Sequence, residues 1–465
     1  MDDSLRLVEW MRLKYAILLL SISLSGCVLA PKGTDEEKHR LAEAGQPYEP
    51  PIDHRDLPQL SDSPAWQDVL HRAFLANGEL EAAYFEWKAA LWQIDIVAGY
   101  PNTNIGLGFQ YMFSSGRMKS WDRTTVQAVT DPMANLSLPP KLAQAGKAAL
   151  ENAREAGFRF EAMKFELQRR VLAGYLELAL AEEKIRIQQD NVELLRLVSE
   201  SAENRVQAGG PQQDLLKAQI EYRLAENELA NLRTQAGSLR AMLNGILSRD
   251  GDAVLQTRSL PEPRRLVADD ARLIAAGVDL NPELAGLSRQ VQGRQDALEL
   301  ARMAWLPDVN PMAAFTGSAS QMIGAMVMLP AAVPMIRGRI EQSRAMLRAS
   351  EAMAQQTRRD RAASFVANLL ALRNAERQSD LFQQRILPIA QQALDSSRQA
   401  YGAGTVGFVE LIDAQRTLLD VRLMIAEARI EREKRMAELE ALAGIDFETL
   451  PGPATAPATQ PREGE

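Results

Sequence analysis

The sequence of 465 residues is poor in the residue types that build most catalytic and metal centres. One cysteine and three histidines exclude an internal disulfide framework, a cysteine zinc cluster and a CxxC redox pair. A GxSxG elbow, a Walker sequence and a Rossmann glycine pattern are also missing. The net charge is −8 and no dense basic run exists, which argues against a nucleic-acid surface. We therefore expect no enzyme, no cofactor, no metal centre and no nucleic-acid partner.

The N-terminus has the order of residues of a targeting signal. Arg12 and Lys14 precede a short apolar run, which ends in Leu24-Ser25-Gly26-Cys27. That run is too short to span about 30 Å of hydrocarbon, so residues 1–26 are predicted to be a signal peptide. Leu-Ser-Gly-Cys resembles the lipobox, which implies cleavage before Cys27 and acylation of that residue. The alternative is a buried free cysteine behind an ordinary signal.

The two ends of the predicted mature chain contain several prolines, a composition typical of flexible segments. We predict a lipid-anchored tether over residues 27–61 and a disordered tail, rich in Pro, Ala and Thr, over residues 447–465. The residue after the cysteine is Val28 rather than aspartate, which in the lipoprotein resemblance favours export to the outer membrane.

The body of the chain follows one plan twice. Asn77 and Asn281 each open a helical stretch that ends before a proline, and a short non-helical segment and a very long helix follow in both halves. Gly209 breaks the first long helix and Gly404 the second, and each break is followed by a helix that contains an Ala-Gln pair. This order predicts an internal duplication, with repeats over residues 62–250 and 251–446.

The long helices carry apolar residues at coiled-coil spacing. A helix over residues 141–207 would be about 100 Å long. Its two apolar rows indicate neighbours on both sides, as in a closed ring of helices. The shorter helices near 62–99 and 211–247 are predicted to stack end to end. The second half has helices near 266–305, 335–402 and 407–444, and Pro388 predicts a kink or break in the long one.

The segments between the helices predict two β-hairpins. Apolar residues alternate with polar residues, glycine or methionine in the first strand, at Ile105, Leu107, Phe109, Tyr111 and Phe113. Its partner strand is expected to run to Leu138, whereas the second hairpin, between Pro307 and Pro330, reads as apolar on both faces. A membrane β-barrel strand needs about ten residues with an apolar outer face. The alternative is a hairpin packed on a soluble core.

The order of these elements resembles the TolC-type outer-membrane efflux family. The stretch Leu329-Pro330 through Gln342, and Tyr401-x-x-Gly404 followed by Glu410 through Gln415, look most like it. The resemblance covers about residues 60–446. It implies a mainly α fold: a long antiparallel α-helical barrel protomer with two β-hairpins contributing to a shared transmembrane β-barrel. It also implies a homotrimer in the outer membrane of a Gram-negative-type bacterium, lipid-anchored and extending into the periplasm.

The resemblance assigns roles to residues at the predicted periplasmic end. Three carboxylates fall on acidic tip positions that would line a threefold aperture, namely Asp214, Glu410 and Asp413. Three further residues fall on the tip turns and the surface that meets the adaptor, namely Gly209, Tyr401 and Gly404. The alternative is that the carboxylates are ordinary solvated charges at helix ends, where acidic residues are favoured.

The function implied is the outer-membrane channel component of a tripartite efflux system. It would be a passive exit duct that docks with a periplasmic adaptor (membrane fusion) protein and an inner-membrane pump. Two alternatives remain: a coiled-coil periplasmic lipoprotein scaffold or adaptor without a pore, and the exit duct of a type I secretion system.

Methionine is concentrated in one part of the chain. Six of the 17 methionines lie within residues 303–335. Thioether sulfur suits Cu(I) or Ag(I), although methionine more often serves as flexible apolar packing. The run Leu136 to Lys141 is similar to the heavy-metal branch of the efflux family.

Overall fold

The computed structural model describes residues 29–100, 105–113, 119–130, 137–257, 264, 269–316 and 320–447. The predicted signal peptide, the lipobox with Cys27 and all but the first residue of the predicted tail lie outside the described residues. Those three predictions therefore remain predictions.

The first half of the chain is built from one very long helix and several shorter ones. They are α1 Thr34–Gly45, α2 Trp66–Ala76, α3 Gly78–Ala98, α4 Pro139–Gln207 and α5 Gln212–Ile246. The predicted long helix is confirmed, because α4 has 69 residues. Helix α3 begins where the sequence indicates, because the Asn77 side chain accepts hydrogen bonds from the backbone N–H groups of Glu79 and Leu80, both at 3.1 Å.

The second half has the same succession of elements. Its helices are α6 Asp270–Asp279, α7 Pro282–Arg302, α8 Val333–Leu381, α9 Leu387–Gly402 and α10 Phe408–Ala443. The break predicted at Pro388 is confirmed: a π-helical turn, Phe382–Ile386, separates α8 from α9. Proline has no N–H for the carbonyl four residues before it, so the helix widens at that point.

Four strands form a single antiparallel sheet in chain order. They are β1 Ile105–Tyr111, β2 Thr124–Thr130, β3 Asp308–Thr316 and β4 Ser320–Met328. The two hairpins are joined because β2 pairs with β3, with Val126 opposite Phe315. Strands β1 and β4 are the two edges of the sheet as described. The predicted continuation of β2 to Leu138 passes through residues 131–136, which lie outside the described residues.

The register separates the two faces of the sheet. Residues directly opposite each other in an antiparallel pair share a face. One face carries apolar residues in each strand, among them Phe109, Val126, Phe315 and Val327. The opposite face carries Gln110, Thr125, Gln127, Thr316 and Asn310. The prediction that the second hairpin is apolar on both faces is wrong, since three of its polar residues, Asp308, Asn310 and Thr316, all lie on that second face.

The described chain divides into two compact units. The first combines parts of Met1–Gln46, Ala83–Arg159 and Glu283–Thr357 and contains the sheet. In this unit α3 packs on α4, where Gly157 lies against the Trp87 ring. Helix α4 packs on α7, where the Gln144 amide donates to the Asp296 carboxylate at 3.0 Å. Helix α7 in turn contacts α8, so the helices follow the order of the strands that they flank.

The first unit also contains a packed helix in the segment predicted to be a tether. Helix α1 buries Glu37 and Leu41. The Trp87 indole N–H donates to the Glu37 carboxylate at 3.0 Å, and Arg40 donates to the same carboxylate at 3.1 Å. A carboxylate buried with two donors holds a helix firmly in place. The prolines of this stretch flank α1 and none lies inside it, so proline content does not indicate the packed helix.

The second unit comprises Pro47–Ala82, Phe160–Pro282 and the described part of Arg358–Glu465. One of its cores joins α6, α8 and α10 through buried side chains that include Leu273, Phe365, Leu372 and Leu439.

Beside this core lies a buried cluster of charges centred on Arg264. The Arg264 guanidinium donates to Glu440 Oε1 at 2.9 Å and Oε2 at 3.1 Å, and its Nε donates to Glu433 at 3.1 Å. Arg432 donates to the Arg264 carbonyl and to Glu433. The Arg264 guanidinium also lies 6.0 Å from the centre of the Trp66 ring. A single residue from the connection between the two halves is therefore held against α10 and α2.

Glu440 should make stability depend on pH. Burial raises the pKa of this carboxyl to about 7, with Asp446 acting in the same direction, although Arg264 and the Phe447 N–H lower it. A glutamate in the unfolded chain has a pKa near 4.5, so Glu440 keeps its proton to a higher pH in the folded chain than in the unfolded chain. The stability from this group is complete below about pH 4.5 and is lost as pH rises through about 7. We expect Glu440→Gln to remove a dependence on the order of 3 kcal/mol, seen as the difference between the unfolding curves of the two proteins. Parallel curves would contradict this.

Candidate functional site

The two long helical hairpins end in glycine turns of the same geometry. Gly209, between α4 and α5, has φ +92°, and Gly404, between α9 and α10, has φ +74°. In the first turn the Gly210 N–H donates to the Arg205 carbonyl at 2.8 Å, and in the second the Thr405 N–H donates to the Ala400 carbonyl at 2.9 Å. Each of these hydrogen bonds joins an N–H group to the carbonyl five residues earlier and ends the helix. This geometry requires a residue with a left-handed backbone conformation just past the helix. Glycine is the residue that adopts it without strain.

Tyr401 is buried at the second turn and contacts the first. Its side chain is 5% exposed and packs edge-on against Phe408, with ring centres 6.2 Å apart. The Arg205 guanidinium lies 4.4 Å from the centre of the Tyr401 ring and donates to the Tyr401 carbonyl at 3.2 Å. Among the described residues the buried Tyr401 hydroxyl has no hydrogen-bond partner. Stacking and one charged hydrogen bond thus hold the two turns together.

The three predicted acidic residues lie in the first two turns of the helices that follow the glycines. Asp214 is half-buried near the start of α5, whereas Glu410 and Asp413 are exposed on α10 and are three residues apart, on one side of the helix. Asp413 lines a cavity of about 170 Å³ together with Lys217, Glu221 and Arg416. Asp214 and Glu410 do not line this cavity.

An ion pair joins α5 to α10 one turn further along. Arg416 donates to the Glu221 carboxylate at 2.5 Å, and this hydrogen bond raises the pKa of the guanidinium. The separation of the two residues, 195, is almost that between Arg205 and Tyr401, 196. Gly209 and Gly404 are also 195 residues apart, so the sequence already indicates that positions with this separation are equivalent in the two halves. Sequence reasoning nevertheless missed Arg205, Glu221 and Arg416.

Buried amides lie next to this ion pair. The Gln415 amide, 4% exposed, donates to the Asn191 side chain at 2.7 Å, and the Gln188 amide donates to the Ala225 carbonyl at 3.0 Å. These side chains border a cavity of about 200 Å³. The Gln415 side-chain carbonyl is buried without a partner in the described structure. An unsatisfied buried carbonyl costs about 1–3 kcal/mol, so the contact between the two hairpins at this level is not of lowest energy.

Neither a metal centre nor a helix able to cross a membrane is present among the described residues. No cluster of three or more His, Cys, Asp or Glu side chains in them is suited to holding a metal ion. No helix in the same part of the chain combines the length and the apolar composition needed to cross a bilayer.

A four-stranded sheet with two different faces, one long helical stretch in each half and two matched glycine turns define a mainly α class of protein with repeated helical hairpins. The model of the outer membrane efflux protein family matches residues 69–248 and 277–445. The chain belongs to that TolC-like family, which is a family of efflux proteins and not of enzymes.

Individual relatives agree with this assignment. The chain is 22% identical over 366 residues to the cobalt-zinc-cadmium resistance protein CzcC of Cupriavidus metallidurans, covering 73% of this chain and 82% of CzcC. Its fold matches a crystal structure of CusC with a TM-score of 0.69 at 15% identity, over 82% of this chain and 92% of CusC. It also matches the outer membrane protein VceC of Vibrio cholerae with a TM-score of 0.68 at 16% identity, over 82% and 96%.

Proposed function

We propose that the protein is the outer-membrane channel component of a tripartite efflux system. It serves as a passive exit duct and docks with a periplasmic adaptor and an inner-membrane pump. The observation that carries the proposal is the sheet with one apolar and one polar face in a chain that belongs to the efflux family. Such a sheet can face lipid on one side and water on the other. Cys27 is proposed to carry a lipid anchor in the same membrane.

A sheet with two unpaired edges in lipid needs partners, which supports assembly as a homotrimer. Edge strands β1 and β4 would pair with neighbouring copies, because unpaired backbone groups are costly in hydrocarbon. Four strands from each of three chains then close one shared barrel. Successive copies meet head to tail, so that β1 of one chain lies beside β4 of the next.

The helices next to the edge strands carry matching surfaces. Helix α3, which leads into β1, exposes an apolar seam at spacings of four, three and four residues, namely Phe85, Ala89, Trp92 and Ile96. Phe85, Trp92 and Ile96 are 43%, 54% and 69% exposed. Helix α8, which follows β4, exposes small residues along one side at spacings of seven, four and three residues, namely Gly338, Ala345, Ala349 and Ala352. Large knobs on one edge and small residues on the other are complementary in the way that coiled-coil seams are. We propose that a second copy of the chain covers each seam.

The glycine turns are proposed to form the periplasmic end of the duct. In a threefold assembly Asp214, Glu410 and Asp413 recur around one axis and line an aperture. Gly209, Gly404 and Tyr401 belong to the turns that contact the adaptor. Support comes from the contacts of Arg205 with Tyr401 and of Arg416 with Glu221, which hold the two hairpins of one chain together at this end.

Planar-bilayer recordings test this proposal. We expect Glu410→Ala with Asp413→Ala to shift the reversal potential in a salt gradient towards zero, reducing cation preference by about half or more, because a ring of carboxylates concentrates cations in a narrow mouth. Asp250→Ala with Asp252→Ala removes the same charge from an exposed turn after α5 and serves as the matched control. An unchanged reversal potential in the tip variant refutes the aperture assignment. A wild-type trimer that never conducts at any pH or voltage favours the scaffold alternative.

A further inference from the structure

The register of β4 against β3 places three methionines of β4 on the polar face of the sheet. The cross-strand pairs are Asp308 with Met328, Asn310 with Met326, and Ala314 with Met322. Met326 and Met328 are two residues apart on this face, or about 6.8 Å. We call Met322, Met326 and Met328 the methionine ladder.

The ladder lies among polar groups and is accessible. Met322, Met326 and Met328 are 54%, 46% and 41% exposed. The Asn310 amide donates to the Met328 sulfur at 3.8 Å. On the same face Thr125 and Thr316 share a hydrogen bond between their hydroxyl groups at 3.0 Å. The thioethers therefore line the face that the proposed duct presents to water.

Packing does not account for this placement. A side chain that serves as apolar filler belongs on the face that carries Phe109, Val126 and Val327. On the polar face of a strand an exposed thioether loses the benefit of burial at each level. What methionine offers there and leucine does not is a soft sulfur lone pair on a side chain flexible enough to move towards a ligand.

The electrostatics of the ladder indicate the charge of that ligand. The carboxylate nearest in the register, Asp308, is paired with the Lys141 ammonium at 2.8 Å, so it does not add free negative charge. The ladder is a neutral set of sulfur donors. Divalent ions such as Zn²⁺ and Co²⁺ favour imidazole, thiolate or carboxylate ligands, whereas Cu(I) and Ag(I) accept thioethers.

We propose that the methionine ladder binds soft monovalent cations of the Cu(I) and Ag(I) class. The tightest site joins the sulfurs of Met326 and Met328, which are neighbours on one face of one strand, and Met322 extends the site along the sheet. Binding is coordination alone, with no change in oxidation state. That the bound ion lies in the exit path rests on the proposed duct function, whereas binding itself does not.

Calorimetric titration of the full-length protein in detergent with silver nitrate, in chloride-free buffer, tests the ladder. We expect wild type to bind Ag(I) and Met326→Leu with Met328→Leu to lose about one ion per chain, or to bind it at least about tenfold more weakly. Met346→Leu with Met353→Leu, at methionines of α8 that are 43% and 61% exposed, is the matched control and should bind as wild type does. Cys27 is common to all of these proteins, so its contribution cancels.

Several outcomes would overturn the ladder. Equal Ag(I) binding by wild type and the Met326/Met328 variant is one. Equal losses in both double variants are another, because they would indicate unspecific thioether binding. Tight Zn²⁺ binding that is lost with the same two methionines contradicts the selectivity. If the double variant does not fold, Met322→Leu alone should still reduce Ag(I) binding. Conductance separates the two proposals: a variant that conducts without binding Ag(I) leaves the duct intact, and a wild type that binds Ag(I) without conducting refutes only the duct.

Discussion

Replacing Arg264 with methionine is expected to destabilise the second unit by about 3–5 kcal/mol. The substitution leaves the carboxylates of Glu433 and Glu440 buried, with 6% and 1% of their side chains exposed, without the guanidinium that pairs with both. It also removes the contact with the Trp66 ring. Thermal unfolding followed by circular dichroism at matched protein concentration measures the effect.

The cause can be separated from loss of packing by a compensating variant. Adding Glu433→Gln and Glu440→Gln to Arg264→Met removes the two buried negative charges, and Arg432, which then loses the Glu433 carboxylate, still donates to Glu376 at 3.2 Å, so most of the lost stability should return. Arg186→Met is the matched control for deleting a guanidinium, because Arg186 pairs with Glu183 at the surface, where its side chain is 68% exposed. If the triple variant is as unstable as Arg264→Met, uncompensated charge is not the cause.

The helical part of the fold could be predicted because its signals are local. Helix α4 needs only an uninterrupted run of helix-compatible residues with apolar rows, and the π-turn before Pro388 follows from one missing N–H. The division into residues 62–250 and 251–446 remains a prediction, as do the tether boundaries around α1. That α1 packs could not be inferred from its composition, since it depends on Trp87 reaching Glu37 across 50 residues of chain.

The sheet shows where a one-dimensional pattern fails. In β3, Asp308, Asn310 and Thr316 stand on one face and apolar residues on the other. In β4 the residues on the polar face include methionines, which count as apolar by hydropathy, so the sequence of β4 shows no alternation of polar and apolar residues. Only the pairing of β4 with β3 assigns Met326 to the face of Asn310. The candidate site could likewise be predicted only in part. The sequence shows the glycines as helix breaks, whereas the contact of Arg205 with Tyr401 depends on how the two hairpins pack.

Trp92→Glu with Ile96→Glu is expected to convert the assembly into monomers. Both residues lie in the exposed seam of α3, and a carboxylate placed in a covered apolar interface without a partner costs several kcal/mol. Ala345→Glu with Ala349→Glu should have the same effect from the opposite seam, on α8. Sedimentation in detergent measures the oligomeric state. Ile220→Glu with Leu224→Glu, at exposed positions with the same spacing on α5, is the matched control and should remain trimeric.

Mixing the two interface variants distinguishes a head-to-tail ring from any symmetric pairing of like surfaces. The α3 variant retains an intact α8 seam and the α8 variant an intact α3 seam, so one good interface can form between them and the ring cannot close. We therefore expect heterodimers, with each variant monomeric when alone. If α3 instead paired with α3 of another copy, the α8 variant would self-associate and the mixture would contain no new species. That result, or a stable trimer of either variant, would refute the proposed interface.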